Sequence, residues 1–335
     1  KEVLVSLAKG QNPVACSGVC DFIRRESGNK AVIMILEDLY DSKRTSENIA
    51  WIYETDFEFL KGDDIKQIIV GGKRADDYMV RLLIAGIDKD KIVCCRNETD
   101  TPSHLIPEVC NLFGDTGNMR YLKLCLPEAE YISTKLNDTP YFAEHDVNMV
   151  YMGPMTEQTQ INVIKRLMPY KDRIADMINK GTIFLMTGNS HEIFGKSITD
   201  RDGSITECLG LIDFYTTRNM MDRFSGLVLG TYDDIEIVGF RAQFTNGYLG
   251  ENTSHFVNVT KGDGMNKDSK CEGFVKNNFF GTYILGPILV LNPYFTKKIL
   301  YKLCGEEKKL AFEQEVIKAY NSRLEDFKDN HVGIH

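Results

Sequence analysis

No apolar run in this chain approaches the roughly 20 residues that a membrane-spanning helix requires. The longest stretches, residues 32–36 and 284–291, are far shorter, so no transmembrane segment is expected. A Lys/Arg-rich run with interleaved aromatics is missing too, and 40 basic against 48 acidic residues leave a net charge of -8. Nucleic acid is therefore not an expected partner. The nine cysteines form no C-x-x-C pair. Cys16 and Cys20 stand close, but no second pair completes a four-ligand zinc set. Neither a metal nor another cofactor is expected, and reduced thiols in the cytoplasm are the simplest reading. There is no initiator methionine and no signal-peptide pattern. Lys1 leads directly into strand-like residues 3–7, as in a cut made inside a longer protein.

What is present suffices for a large core. With 335 residues, 43% hydrophobic and 26% charged, the chain is long enough for two domains. Apolar runs at residues 31–36, 68–70, 92–95, 149–152 and 183–186 read as short buried strands. Residues 75–85 and 161–178 carry helical periodicity between them. That alternation predicts an α/β protein of two domains, each a mainly parallel sheet flanked by helices. Residues 96–107, with Asn97, Asp100, Pro102 and Ser103, form the most loop-like interval. The boundary falls there, giving domains of residues 1–100 and 101–335. After Gly195 the pattern turns β-rich and turn-punctuated, and residues 311–327 read as a C-terminal helix packed on the surface by its Glu/Lys/Arg-rich polar face.

Residues 182–195 (TIFLMTGNSHEIFG) run from an apolar strand into a tight turn and a helix. Such an elbow can hold a nucleophile on a sharp corner, where the amides of the next helix support an anion. Every parallel-sheet protein also contains strand-turn-helix units. Gly195-Lys196-Ser197 resembles the end of a phosphate-binding loop, but the glycine required five positions earlier is Ser190, which removes ATP binding there. Residues 281–293 (GTYILGPILVLNP) read as a buried strand and a proline-terminated turn. In residues 50–60 (AWIYETDFEFL), Glu54, Asp56 and Glu58 stand among aromatics. Carboxylates so placed hold a raised pKa, orient an imidazole or simply face solvent.

Residues 105–126 (LIPEVCNLFGDTGNMRYLKLCL) resemble the opening signature of the glutaminase subunit of lipid II isoglutaminyl synthase, of the form LYPDLLNIYGDRGN. Residues 147–160 are similar to that family's glycine-containing oxyanion loop, residues 182–195 to its ICGGYQLLG elbow, and residues 281–293 to its GTYLHGPLLPKNP. The N-terminal third resembles the C-terminal domain of the partner ligase subunit, a Mur-ligase relative. Asn12-Pro13 matches its NPAG segment, residues 50–58 its SWxWDxDFE segment, and residues 71–86 (GGKRADDYMVRLLIAG) its SGRRAxDMALRLKYAG segment. The resemblance implies a Rossmann-like Mur-ligase C-terminal domain joined to a class I glutamine amidotransferase-like domain of CobB/CobQ type. It also implies a role in peptidoglycan-precursor amidation, a lipid II or muropeptide-type substrate, contact between the two domains, and upstream ATP-binding Mur-ligase domains in a longer protein.

The departures carry as much as the matches. Aligned letter by letter, the family's cysteine nucleophile falls on Gly188 and its histidine on Leu285. The elbow continues Asn189, Ser190, His191, Glu192 in place of Gly-Gly-Tyr-Gln. The acid supplied by the ligase subunit falls on Glu54 or its neighbour Asp56. In the oxyanion loop a glycine pair becomes Gly153-Pro154, and Pro154 has no amide hydrogen to donate. Glutamine hydrolysis needs a thiolate, a base and oxyanion donors, and Gly188 and Leu285 supply neither of the first two. The expectation is a glutaminase-like domain without glutaminase chemistry, serving as a scaffold. Two alternatives stand beside it. One is a replacement hydrolytic site at Ser190, His191 and Glu192. The other is a small ligand in the former glutamine pocket, with Gly153, Asn189, Arg241 and Asn246 as contacts.

Overall fold

In the computed structural model, which describes residues 12–35, 39–40, 43–44, 50–71, 74–95, 114–136 and 138–329, the first helix has a local cause. Asn12 accepts the amide of Ala15 at 3.0 Å, and Pro13 takes the first turn, where its missing N–H leaves no bond unmade. The result is α1 (Pro13–Arg25). Then come β1 (Lys30–Ile35), a small hairpin of β2 (Leu39–Tyr40) and β3 (Lys43–Arg44), and 3₁₀ turns at Ala50–Glu54 and Phe57–Lys61. β4 (Ile65–Gly71), α2 (Ala75–Ile84) and β5 (Ile92–Cys95) complete the series. The three longer strands form a parallel sheet in the order β1-β4-β5. The expected boundary at residues 96–107 lies outside the described residues.

The second series opens with α3 (Gly117–Cys125) and β6 (Met149–Met152). Residues 161–178 predict one helix, but the structure has two, α4 (Glu157–Leu167) and α5 (Lys171–Lys180). Pro169 cannot continue the amide ladder, and Met168–Tyr170 turns as 3₁₀. β7 (Ile183–Thr187), β8 (Ser197–Asp200), β9 (Ile205–Glu207), β10 (Phe214–Arg218), β11 (Phe224–Tyr232), β12 (Ile235–Gln243), β13 (Thr245–Leu249), β14 (Ser254–Lys261), β15 (Cys271–Lys276) and β16 (Phe279–Thr282) follow. They make a four-stranded sheet, β13-β10-β8-β9, and a seven-stranded sheet, β12-β11-β14-β15-β16-β7-β6. In the larger sheet β6, β7 and β16 run parallel and the other pairs antiparallel. The two-residue connections Asp233-Asp234 and Asn277-Asn278 impose the reversal between β11 and β12 and between β15 and β16, with Asp233 and Asn277 at φ 51° and 56°.

Alternation along β7 divides the core. Ile183 and Leu185 join Val257, Phe280 and Phe295 on one face, while Phe184 and Met186 join Val163, Ile174 and Met177 of α4 and α5 on the other. Helices α6 (Ile288–Leu291), α7 (Pro293–Cys304) and α8 (Glu313–Lys328) end the described chain. The core of the N-terminal sheet is not closed by its own segment. Val32, Ile68, Val70 and Tyr78 cluster with Tyr121 and Leu122 of α3, Leu291 of α6, Leu300 of α7, and Val316 and Ala319 of α8. The C-terminal helix is therefore not a surface ornament. It packs against α2, α6, α7 and β12, and its Tyr320, Arg323 and Phe327 are buried. Among the described residues no helix is long and apolar enough to cross a membrane.

Phe280 is fully buried, with its ring centroid 5.6 Å from both Phe256 and Phe295 and 5.9 Å from Tyr232. Phe280→Ala is expected to lower unfolding stability by about 3–5 kcal/mol. The check is a shift in the urea midpoint at unchanged slope.

Candidate functional site

The elbow forms where β7 ends. All five strand residues are buried, and the chain then turns sharply at Gly188, φ +57°, into a short 3₁₀ helix, Gly188–Phe194. A nucleophile at this corner would need a side chain in the left-handed region, strained for any residue but glycine. It would also need volume. A Cβ at Gly188 would stand 2.5 Å from Cβ of Pro154 and 3.3 Å from Cδ2 of Leu285. Both neighbours are buried, and Leu285 is pinned by exchanged backbone bonds with Phe240 at 2.7 and 3.2 Å. Apolar atoms crowd the corner where the family's cysteine falls on Gly188 and its histidine on Leu285.

Oxyanion donors are depleted on the facing loop. Pro154, next to Gly153, has no N–H, and the Met155 amide donates to Oδ1 of Asn189 at 2.9 Å. Nδ2 of Asn189 returns a bond to the Met155 carbonyl at 2.8 Å, so this side chain ties the elbow to the loop after β6.

Ser190, His191 and Glu192 do not assemble into a relay. The Ser190 hydroxyl lies 2.8 Å from the Met152 carbonyl and 2.7 Å from that of Thr187. His191 uses Nδ1 on the Gly188 carbonyl at 2.6 Å, and its ring packs among Phe214, Phe274 and Tyr283. Burial penalises its cationic form and pulls its pKa down to about 3. Glu192 accepts from Thr245 at 2.6 Å, Tyr283 at 2.8 Å and Gln160 at 2.7 Å. Desolvation raises its pKa against those donors. Among the described residues no hydrogen bond joins any two of the three, because successive residues of a tight helix point in different directions.

Of the two acids expected from the N-terminal segment, Glu54 accepts the Gly114 amide at 2.7 Å across 60 residues of chain. A Cβ on Gly114 would stand 2.6 Å from the Ala50 carbonyl, so glycine there permits the close approach. Asp56 instead precedes the second 3₁₀ turn. The motif reading passed over Asp115, which is fully buried and takes hydrogen bonds from Tyr151 at 2.8 Å and from Thr187. Burial is the main cause that raises its pKa to about 6, and Glu54 nearby adds to it. Its signal was the GDTGN string itself, an acid between two glycines.

Residues 103–292 match the model of the CobB/CobQ-like glutamine amidotransferase domain. The chain belongs to this amidotransferase family. Residues 9–106 match the MurT ligase C-terminal model. Lipid II isoglutaminyl synthase (glutamine-hydrolyzing) subunit GatD of Staphylococcus aureus is 29% identical over 222 residues, 64% of this chain and 88% of that protein. Its Streptococcus pneumoniae counterpart is 25% identical over 229 residues, 66% and 86%. Subunit MurT of the Staphylococcus aureus enzyme is 35% identical over 94 residues, 28% of this chain and 20% of that protein. The chain thus spans about a fifth of that ligase subunit's length.

The remaining expected contacts of this amidotransferase domain are spread apart. The Arg241 side chain is buried, donates to the Gly264 carbonyl and lies 3.6 Å from the centroid of the Phe224 ring, and burial lowers its pKa to about 10. Asn246 sits on β13 opposite Thr217. Near Arg241, Glu272 is fully buried and accepts from Thr282 and from the Tyr283 amide, each at 2.7 Å. Desolvation raises its pKa from 4.5 to about 7.

Two tests follow from this geometry. Gly188→Cys is expected to cost about 1–3 kcal/mol from left-handed strain and overpacking, to leave the thiol resistant to iodoacetamide, and to restore no glutamine hydrolysis. Rapid alkylation with regained turnover would show an open corner. Because the folded-state pKa of Glu272 lies above its unfolded value, the folded state binds the proton more tightly. Its contribution is full below the ordinary carboxylate range and is lost as pH rises through about 7. Asp115 acts in the same direction through about 6. Thermal scans from about pH 5 to about pH 8 should show a smaller fall in Tm for Glu272→Gln than for the unaltered protein.

Proposed function

We propose that this chain is part of a lipid II isoglutaminyl synthase-like protein of the cytoplasm, acting on peptidoglycan precursors, in which the amidotransferase domain supports a ligase-type domain without releasing ammonia from glutamine. The observation that carries this reading is the closed corner, where Pro154 and Leu285 occupy the space around Gly188. In support, a Cβ at Gly188 would crowd Pro154, Leu285 stands where the family's histidine falls, and the facing loop offers a proline and an amide already bound to Asn189. Loss of triad members typically costs about 10⁴-fold or more in rate.

The same reading divides the chain near residue 100 into a Mur-ligase C-terminal-like part and the amidotransferase part. Amide-bond formation then belongs to a longer protein that includes ATP-binding Mur-ligase domains, with free ammonia or another amine as the nitrogen source. Glu54 supports a surviving structural role for the junction, since it still reaches from the ligase-type segment to the Gly114 amide. The shared core beneath that contact supports it too.

Ammonia release from glutamine, measured beside intact-mass detection of a glutamine-like electrophile, tests the proposal. No turnover and no adduct are expected. Turnover that disappears in Ser190→Ala would reinstate a hydrolytic site on the elbow and remove the scaffold reading.

A further inference from the structure

One end of the four-stranded sheet turns large apolar side chains outward. β8 and β10 run parallel, and Arg218 at the end of β10 holds Asp200 at the end of β8 through two bonds of 2.7 and 2.8 Å. The turns that leave these strands therefore lie side by side. In the turn after β10 the Asp222 amide donates to the Asn219 carbonyl at 3.1 Å, and the Asn219 side chain accepts the Met221 amide at 3.2 Å. The Asn219 amide in turn donates to the Phe244 carbonyl at 2.8 Å. Between β8 and β9, Asp202 accepts from the Ser204 amide and hydroxyl at 2.9 and 2.7 Å. Both turns are fixed by their own side chains.

Hydrogen bonding accounts for Asn219 and Asp222 but not for the residues between them. Central turn positions favour glycine, proline, asparagine, aspartate and serine, and here they hold Met220 and Met221, 48% and 83% exposed. Ile205, at the start of β9, is 65% exposed. Strand pairing sets it in the row Asn246–Thr217–Thr199–Ile205 across the outer face of the sheet. Ordered turns thus keep three large apolar side chains in water at one place, the mark of a contact surface.

The charges around them select the occupant. The chain carries a net charge of -8, yet Arg201 and Arg223 stand exposed in these two turns, and among the described residues neither forms an ion pair. The neighbouring acids are engaged, Asp200 by Arg218, Asp222 by Lys267 at 2.8 Å, and Asp202 by the Ser204 donors. Flexible thioether chains between two uncommitted guanidinium groups match an anionic bilayer surface. The methionines enter the acyl boundary while the arginines stay level with the phosphates.

We propose that the Met220–Met221 turn, with Ile205, Arg201 and Arg223, is a peripheral anchor that seats this chain on an anionic membrane surface. So few side chains give an interfacial and reversible contact, not a span. The anchor rests on the proposed function in one respect, since a lipid-linked substrate is met at a membrane. Its test reads lipid binding alone. Failure there leaves the lost glutaminase chemistry standing, and glutamine turnover would leave the anchor standing.

The experiment floats the full chain with vesicles of equimolar phosphatidylglycerol and phosphatidylcholine, and with vesicles of phosphatidylcholine alone. The chain is expected to rise with the first at low salt and to stay down with the second. Met220→Asn with Met221→Asn places residues that turns favour, so far-ultraviolet circular dichroism should be unaltered while the bound fraction falls about tenfold. Arg201→Gln with Arg223→Gln is expected to lower it by about the same factor. Val14→Ser with Ile33→Thr, at N-terminal side chains 70% and 63% exposed, should bind as the unaltered chain does. Absence of flotation, equal binding to neutral vesicles, loss in the Val14/Ile33 variant, or full binding by the methionine variant overturns the proposal. So does self-association without lipid binding that the methionine variant abolishes, which assigns the turn to a second copy of the chain.

Discussion

Volume at the end of β7 is the constraint on which the reading of this molecule rests. The strand delivers Thr187 and Gly188 to the meeting point of the loop after β6 and the segment after β16. Three backbones converge there, and Gly188, a residue with no side chain, stands at the centre. Pro154 and Leu285 close on Gly188 from two directions. Their apolar atoms fill the space around the strand's end, so the proposed loss of glutaminase chemistry leaves the topology unchanged. Ser190, Asn189 and His191 then become ties among neighbouring carbonyls and amides.

A second theme is the treatment of buried acids. Asp115, Glu192 and Glu272 are all almost fully withdrawn from water. Each is surrounded chiefly by hydroxyls and amides, and each has its pKa raised by desolvation. Hydrogen bonds from neutral donors moderate that penalty without abolishing it. Asp77 differs, because it meets the full charge of Arg323. Of these buried acids, Asp115, Glu192 and Glu272 are met chiefly by neutral donors and Asp77 by an opposite charge.

Much of the scaffold is legible in the residues. The apolar runs at 92–95 and 149–152 coincide with β5 and β6, because a short buried strand needs only a compact run of large apolar side chains. The elbow is visible as a strand ending in glycine, yet nothing local tells that Pro154, 34 residues earlier, fills the corner. The single helix expected over 161–178 fails at Pro169, a local signal outweighed by strong periodicity on either side. The helix expected over 311–327 is present as α8, but its placement on the surface fails for a different reason. Arg323 looks like a surface residue because its partner Asp77 lies 246 positions away. Asp115, Glu192 and Glu272 are hidden in the same way, since sequence alone does not distinguish a buried acid from a solvated one. The two-residue hairpin loops, which reverse the chain between β11 and β12 and between β15 and β16, are readable only after their flanking strands are known.

The core that closes the N-terminal sheet contains both Cys16 and Ala319. Synthesis is vectorial, so the first strands and α2 leave the ribosome long before the helix that covers them exists. Their apolar faces remain uncovered until α8 arrives, and closure must then span about 300 residues, from Cys16 to Ala319. Truncation before α8 would therefore expose residues of the N-terminal sheet, and a defect in α8 would register first as misfolding of that sheet.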